Sequence, residues 1–383
     1  MANINRNRPA FIFMFFLLWL FVPSCVQCRE IKICVWCEFL PYEIVGNYLE
    51  ELSEKDISLI LHISPSDIGS PALLKLLYKA EKYGVDVRAW FLLPYDEDLY
   101  LCEDTLDQTE NFVRDFVKWA KNESLNIKWV VFDCEPTPTT GKEFLKYVRE
   151  KDIMSFITHL RKNKNEQKFR QSIKRMSSLI DYLHKEGYFV AGTSNRMVIE
   201  GLYFKNVTLQ DSLNIPFTML DWDEVSFLAY RYKASRADYI GMVKRYTMLA
   251  KKYFGEKGVL DIGLVGDNRL LEENKERMRI FDGKEAFMDF LIGMKYPRDL
   301  TEIMDVIKKS GLFRVNIYSL DGMLVSDYPV SAWLEQEKNN GKTYFTPLSS
   351  LKAGFTNASL QLLYNVLVVK DDELEKEYNK IYR

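Results

Sequence analysis

Short apolar runs alternate with longer amphipathic segments along most of the chain. Eight of these runs predict β-strands, at residues 31–36, 57–63, 85–93, 127–132, 187–193, 225–230, 259–265 and 313–319. Helical spacing predicts helices at 43–55, 71–83, 109–122, 237–254 and 284–309, the last interrupted at Pro297. At least two more helices are expected within 142–186, an irregular stretch at 194–196, and a helical tail from about 360 onward.

The order of these elements predicts the fold class. Strands separated by helices pair in parallel through right-handed crossovers. Eight strand–helix units are the number in a (β/α)8 barrel, and Gly84, Gly187 and Gly311 stand where helices end before strands. An open doubly wound sheet is the alternative, but no glycine-rich phosphate loop follows the first strand. We therefore predict an α/β protein, with a (β/α)8 TIM barrel over 29–335 and a helical C-terminal extension, 336–383, that packs on it.

The first 28 residues have the pattern of a signal peptide. Arg6 and Arg8 precede an unbroken apolar run at 10–22, which is too short to span a bilayer comfortably. The sequence therefore predicts export, with an uncleaved anchor as the alternative.

A cysteine near the end of this segment raises the question of lipid anchoring. Residues 22–25, Val-Pro-Ser-Cys, resemble a bacterial lipobox, in which Cys25 would carry a lipid after cleavage. Ordinary cleavage within 24–28 is the alternative. We expect a secreted or extracytoplasmic protein, which is attached to a membrane only if Cys25 is lipidated.

Charge and histidine content narrow the functional classes. The formal net charge is −2, with 52 basic and 54 acidic residues well mixed, so a nucleic-acid partner bound through a basic surface is not expected. The only histidines are His62, His159 and His184, which supply a metal site or a Ser-His-Asp triad poorly. Aromatic residues make up 14% of the chain, which suits either a large core or a platform for sugar rings. We expect a monomer without a cofactor.

The cysteines leave their own alternatives open. Cys25 and Cys28, and likewise Cys34 and Cys37, have the spacing of paired metal ligands. Closed zinc sites take such pairs from separate turns, whereas the first pair lies in the signal segment and the second at a strand. We therefore expect no metal site. Disulfides are the alternative in an exported protein, but the sequence does not give their pairing.

The fourth predicted strand delivers two carboxylates to its C-terminal end. Residues 129–136 are Trp-Val-Val-Phe-Asp-Cys-Glu-Pro, so Asp133 and Glu135 leave the same face, about 6–7 Å apart along the strand. Like charges this close at the mouth of an apolar barrel raise one pKa. A carboxyl that stays protonated near neutral pH serves as a general acid. The alternative is an acidic pair that caps the next helix.

Acidic and aromatic residues follow several other strands at the same end of the barrel, where the active sites of such barrels lie. We take as candidate substrate-binding residues Trp36, Glu38, Tyr230, Arg231, Asp267, Tyr318 and Asp321. Stacking rings and carboxylates that accept hydroxyl protons suit a carbohydrate substrate. Plain turn chemistry is the alternative for Asp267 and Asp321. The alternative for Glu38 is a solvated loop position, and for Tyr230 a place in the core.

Short motifs on strands four, six and eight carry a family resemblance. They are Phe132-Asp133-Cys134-Glu135, Leu228-Ala229-Tyr230 and Ile317-Tyr318-Ser319-Leu320-Asp321-Gly322. These motifs resemble those of family 18 glycoside hydrolases, the chitinase-like barrels. The resemblance implies that Glu135 is the general acid and that Asp133 orients the N-acetyl group of the substrate. It also implies that Tyr230 helps to hold that group and that the Tyr318 ring forms the floor of the sugar site.

The sequence departs from the pattern of that family at several positions. The family has two further aspartates on strand four, where this chain has Lys128 and Val131. The aspartate after the strand-six tyrosine is Arg231 here, and the strand-eight tryptophan is Tyr318. No Ser-x-Gly-Gly motif occurs on strand three. The resemblance therefore implies a relative or a distant analogue of these enzymes.

A second similarity concerns the residue after the strand-four acid. Glu135-Pro136 is similar to the Asn-Glu-Pro of retaining glycosidases, although Cys134 replaces the asparagine. Those enzymes need a partner carboxylate on strand seven, about 5–5.5 Å away. Asp267 is the candidate for that partner.

These observations predict an exported glycoside hydrolase, or a glycosidase-like protein, that acts on a polysaccharide or glycan. Glu135 would protonate the leaving oxygen, and Asp133 would stabilise the developing positive charge or position an acetamido group. A non-catalytic glycan-binding or surface-assembly barrel is the alternative from another class. A third reading is a hydrolase that uses a divalent metal held by Asp133, Glu135 and Asp267.

Overall fold

The computed structural model describes residues 30–94, 100–136, 146, 152–204, 208–231, 235–266 and 293–335. This part of the chain contains β1 (Lys32–Cys37), β2 (Ile57–Ile63), β3 (Val87–Phe91), β4 (Trp129–Cys134), β5 (Phe189–Asn195), β6 (Glu224–Tyr230), β7 (Gly258–Gly263) and β8 (Arg314–Tyr318). Each strand pairs in parallel with the next, and β8 pairs with β1. The sheet is therefore a closed barrel, and the predicted (β/α)8 fold is confirmed.

Helices lie between successive strands and cover the outside of the barrel. Within the described residues they are α1 (Tyr42–Val45), α2 (Leu49–Glu54), α3 (Pro71–Tyr83), α4 (Leu106–Asn122), α5 (Ile153–Asn163), α6 (Glu166–Lys185), α7 (Arg196–Tyr203), α8 (Thr208–Ser212), α9 (Arg236–Phe254), α10 (Pro297–Lys309), α11 (Leu320–Val325) and α12 (Val330–Leu334). The predicted bounds of α3 match residue for residue. Ser70 caps its first turn, Pro71 begins it, and Gly84 ends it with a φ of 74°.

Two predicted elements need correction. The segment 43–55 forms two short helices rather than one, because the chain leaves the helix at Gly46 and Asn47, both poor helix formers. The segment 194–196 is not irregular, since β5 runs to Asn195 and α7 begins at the next residue. The Asn195 side chain accepts a hydrogen bond from the Met197 N–H and so caps the helix directly.

Several predictions fall on residues that the structure does not describe. The signal segment, the lipobox at Cys25, the helical residues 284–292 and the extension 336–383 all lie outside the described ranges. Within the described ranges, no helix is long and apolar enough to cross a membrane.

The interior of the barrel holds an apolar cluster on one side. Trp36 of β1 and Trp90 of β3 meet edge to face, with ring centroids 4.7 Å apart. Ile60, Val131 and Ala191 pack with them, all at inward positions of their strands. The cluster also includes Leu264, just after β7, and Tyr318 of β8.

A buried ion cluster occupies the opposite, N-terminal end of the interior. Glu224 of β6 accepts hydrogen bonds from Arg88 of β3, at 2.9 Å, and from Arg314 of β8, at 3.0 Å. The Arg88 guanidinium also lies over the Trp129 ring, 4.4 Å from its centroid. The two contacts of Glu224 join strands that are not neighbours, so they cross the barrel interior.

The cysteines of the described residues form no disulfide. Cys34, Cys37, Cys102 and Cys134 are all buried and free. Burial raises the pKa of the Cys34 thiol to about 12, so this thiol is held protonated and unreactive.

Candidate active site

The charges of four carboxylates act on one phenol at the C-terminal mouth of the barrel. Tyr230 ends β6 and is partly buried. Burial raises its pKa well above the ordinary value, and the charges of Asp261, Asp133, Glu135 and Glu38 raise it further. Because all four acids act on the same hydroxyl, they lie around a single site. Three of them were predicted from the sequence.

The two acids at the end of β4 are positioned by main-chain contacts. Asp133 is 8% exposed, and its register partner on β5 is Thr193. The Leu101 N–H donates to the Asp133 carbonyl oxygen, at 2.9 Å. The Ser194 hydroxyl donates to the next carbonyl oxygen along β4, at 2.8 Å. These bonds fix the strand end just before Glu135, which is partly exposed at the mouth.

Tyr318 of β8 brings a second phenol to the same mouth. Its ring centroid lies 5.6 Å from that of Tyr230. Its hydroxyl donates to a carboxylate oxygen of Glu38. Burial raises the pKa of Tyr318 well above its usual range, and the nearby Glu38 charge adds to the rise. The phenol is therefore held as a hydrogen-bond donor that orients Glu38.

Asp321 holds the loop that carries Glu38. Its carboxylate accepts hydrogen bonds from three successive main-chain N–H groups, those of Glu38, Phe39 and Leu40, at 3.1, 2.7 and 3.0 Å. The side chain is 1% exposed, and burial raises its pKa. Its oxygens are therefore directed at the backbone after β1, and its role at this site is to fix the position of Glu38.

The other candidates lie in different surroundings. Trp36 is inside the barrel below the mouth, where its Nε1 donates to Asp261, at 3.3 Å. Arg231 follows Tyr230 and acts on Tyr239 of α9, whose raised pKa the Arg231 charge opposes. The Arg231 main-chain N–H donates to the Gly263 carbonyl oxygen, at 3.2 Å. Asp267 lies outside the described residues.

Asp261 was not predicted from the sequence. It stands in the middle of β7, is fully buried, and its charge raises the pKa of Tyr230 more than the charges of the other three acids do. The signal that could have found it is a single acid within the apolar run Gly-Val-Leu-Asp-Ile-Gly. A charge inside a fully buried strand needs a special explanation.

The described part of the chain contains no cluster of ligands for a metal-assisted reaction. There, no group of three or more His, Cys, Asp or Glu side chains could hold a metal ion. The three-acid set considered above cannot be assembled from these residues, since Asp267 is not among them.

The best-defined cavity of the described residues lies away from this mouth. It has a volume of about 220 Å³ and is lined by α3 and by the segments that lead into β3 and β4, among them Asp86 and Lys128. These segments enter the barrel at its N-terminal end. Residues at that end of such barrels serve stability rather than catalysis, so we place the candidate site at the Tyr230 mouth.

Comparison with known proteins identifies no family. No family model matches the chain, and no curated protein matches it. Among solved structures, it is similar to the PgaB (BpsB) glycoside hydrolase domain from Bordetella bronchiseptica, at 12% identity and a TM-score of 0.46, over 77% of this chain and 96% of that one. An endo-β-1,4-mannanase from Thermotoga petrophila gives 13% identity and a TM-score of 0.41, over 90% of this chain and 79% of that one.

Further solved barrels are similar to a comparable extent, and some of them have other activities. The intracellular xylanase TsXylA from Thermoanaerobacterium saccharolyticum gives 9% identity and a TM-score of 0.38, over 81% of this chain and 92% of that one. An HMG-CoA lyase and an L-ribulose 3-epimerase are also among the similar structures. None of these similarities assigns a residue or a reaction to this chain. The resemblance to family 18 therefore stays a prediction from three short motifs.

Proposed function

We propose that this protein is an exported glycosidase-like hydrolase whose active site is the acidic mouth around Tyr230. The observation that carries the proposal is the convergence of Asp133, Glu135 and Glu38 on that one phenol. Several carboxylates that share a partly buried site cannot all ionise freely, which separates acid from base roles. A site of this kind suits acid–base cleavage of a bond between sugars.

Glu135 is the proposed general acid. It stands at the open end of β4, partly exposed, whereas Asp133 is buried one inward position below it. Protonation of the glycosidic oxygen by Glu135 breaks its bond to the anomeric carbon, and the leaving sugar departs as an alcohol. Water then adds its oxygen to the anomeric carbon, and its proton returns to the Glu135 carboxylate. Asp133 stabilises the positive charge between these steps or positions an acetamido group.

The tyrosines and Glu38 are proposed to hold the sugar. Tyr230 and Tyr318 offer two ring faces near the acids, and ring faces suit stacking on a pyranose. The carboxylate of Glu38 is oriented by the Tyr318 hydroxyl and is proposed to accept hydrogen bonds from sugar hydroxyls. Asp321 and Trp36 support these residues from below, and Arg231 takes no proposed part.

The test is a Glu135→Gln variant assayed on 4-nitrophenyl glycosides and on soluble chitin oligosaccharides, xylan and mannan. Loss of the acid proton is expected to lower turnover by about 10²–10⁴-fold. Glu81→Gln, at an exposed position on α3, is the matched control and should cleave like the wild type. Circular dichroism of both variants checks that the barrel is intact.

Undiminished cleavage by Glu135→Gln would remove Glu135 from the mechanism. Glycan binding without turnover in the wild type, unchanged in the variant, would instead favour the non-catalytic glycan-binding barrel. Export is tested separately, by locating the full-length chain and a Cys25→Ser variant in cell fractions. Loss of membrane association in Cys25→Ser alone would support the lipid anchor.

A further inference from the structure

Asp261 is a buried carboxylate with an unusual set of partners. Its Oδ1 accepts from Asn316 Nδ2, at 2.6 Å, and from Trp36 Nε1, at 3.3 Å. Its Oδ2 accepts from the hydroxyls of Ser226, at 2.6 Å, and Thr193. The four donors come from β8, β1, β6 and β5, so the carboxylate lies near the axis of the barrel.

This arrangement stabilises the ionised form. An indole N–H and an amide NH2 can only donate, so Oδ1 carries no proton of its own. The two hydroxyls also donate, which fills Oδ2. All four partners are neutral, and within the described residues no Lys, Arg or His forms an ion pair with Asp261. Burial raises the pKa of Asp261, and these four hydrogen bonds oppose that rise. When Asp261 is ionised, no cation among the described residues pairs with its negative charge.

Stability does not explain a charge at this position. Inward positions of such barrels are usually filled by branched apolar residues. Taking a carboxylate out of water costs several kcal/mol, and well-packed apolar residues often replace buried charges without loss of stability. An uncompensated carboxylate on the barrel axis therefore points to a role in the neighbouring site.

The strand register places Asp261 directly beneath the acids. Asp261 pairs with Leu228, which is one inward position below Tyr230 on β6, about 6–7 Å along the strand. Thr193 links the charge to β4, since it donates to Asp261 and is the register partner of Asp133. Asp261 therefore adjoins both the phenol and the lower of the two β4 acids.

We propose that Asp261 is a positioning residue, whose fixed negative charge beneath the mouth keeps the proton on Glu135. A negative charge disfavours a second one nearby and so raises the pKa of the acid that must stay protonated. This inference rests on the proposed function, because it assigns Glu135 the part of general acid.

The other charged groups around the site either favour protonation of Glu135 or are engaged elsewhere. Asp133 on β4 and Glu38 after β1 act on the same phenol and also favour protonation. Asp321 lies behind Glu38 and is engaged by the backbone. Arg231 directly follows Tyr230, and its charge acts on Tyr239 of α9. The ion cluster at the other end of the interior contains two arginines bound to Glu224, so it does not neutralise Asp261.

The test removes the charge in two ways and then restores it. Asp261→Asn and Asp261→Ser are both neutral but differ in packing. The double variant Asp261→Asn/Asn316→Asp moves the carboxylate to the neighbouring strand while keeping the hydrogen bond between the two side chains. The measurement is the pH profile of kcat/KM on the 4-nitrophenyl glycoside that the wild type cleaves fastest.

The alkaline limb of that profile reports the pKa of the general acid. Both neutral variants are expected to move it to lower pH by about one unit, and the double variant to restore it. A merely structural role would lower activity equally at every pH. An alkaline limb that stays in place in both neutral variants overturns the proposal.

A titration without substrate separates this inference from the proposed function. The Glu135 carboxyl is followed by NMR in protein labelled with ¹³C in glutamate side chains, with Glu135→Gln giving the assignment. Its pKa is expected to fall in Asp261→Asn and Asp261→Ser and to recover in the double variant. If the wild type cleaves no glycan, the proposed function fails, and this titration still decides the role of Asp261. An unchanged Glu135 titration overturns it.

Discussion

Two of the carboxylates buried inside this barrel, Glu224 and Asp261, are compensated in opposite ways. Glu224, at the N-terminal end, is held between the guanidinium groups of Arg88 and Arg314. Asp261, nearer the C-terminal mouth, is held by two hydroxyls, an amide and an indole, all neutral. Both acids are almost completely removed from solvent, at 2% and 0% exposure. The difference therefore lies in their partners and not in their depth.

The comparison shows which end of the interior is built for stability. Two guanidinium groups contact Glu224, and Asp86 lies 3.6 Å from Arg88, so two positive and two negative charges are balanced in this cluster. Neutral donors at Asp261 stabilise the ion but leave its field intact, and that field reaches Tyr230 and the acids around it. The division agrees with the general rule that barrels of this class carry chemistry at the C-terminal face and stability at the other.

The largest effect that can break this comparison is expected at Glu224. Glu224→Gln removes the carboxylate that the two arginines share and leaves Asp86, 3.6 Å from Arg88, as the nearby acid. Removing one partner of a buried ionic cluster typically costs about 3–5 kcal/mol. We therefore expect the free energy of unfolding, measured in urea, to fall by about that amount.

The matched control for this variant is an ion pair at the surface. Asp221 binds Lys257 at 3.0 Å, with its side chain 89% exposed. Asp221→Asn should change the free energy of unfolding by about 0–1 kcal/mol. A Glu224→Gln variant as stable as this control would show that the arginines can reach water without their acid, and the contrast with Asp261 would lose its basis.

The same contrast explains what the sequence could and could not predict. Apolar runs and turn glycines predict all eight strands within two residues at each end, because local periodicity decides them. The β4 acids were found because they stand at a strand end, where the barrel topology alone says that chemistry belongs. Arg231 was proposed on the same ground, and its part in binding stays a prediction.

Asp261 and Asp321 could not be assigned roles from local sequence. The partners of Asp261 come from four other strands, so its surroundings exist only after the barrel closes. Asp321 stands in an Asp-Gly pair that predicts a turn, yet it binds N–H groups 281 to 283 residues earlier in the chain. Contacts at such separations leave no trace in periodicity or turn chemistry.

The contribution of Asp261 to the pH dependence of the free energy of unfolding is expected to be of intermediate size. Burial raises its pKa, so the folded protein binds this proton more tightly than the unfolded chain does. The resulting stabilisation is complete below the ordinary aspartate pKa and is lost as the pH rises through the folded-state value. The slope from one such group is at most about 1.4 kcal/mol per pH unit.

Urea unfolding of the wild type and of Asp261→Asn, compared from pH 3.5 upward, isolates this group from other acids. The wild type should lose stability relative to the variant as the pH rises and then run parallel to it. The pH at which the curves become parallel marks where Asp261 is fully ionised in the folded protein. Curves that are parallel throughout would contradict the raised pKa and weaken the contrast with Glu224.

The smallest effect is expected at Glu103, whose compensation lies between these two extremes. Burial raises its pKa to about 7, and Asp211 and Asp104 add to the rise, while Lys168, 3.7 Å away, opposes it. Glu103 should therefore stabilise the fold below about pH 4.5 and lose that contribution as the pH rises through about 7. In Glu103→Gln, the urea concentration at the unfolding midpoint is expected to change less with pH over this window. Lys168→Met removes the cation that opposes the rise in the Glu103 pKa, so the loss of stability should extend to higher pH. A loss that ends at the same pH or at a lower pH in this variant would show that Lys168 does not partly compensate the Glu103 charge.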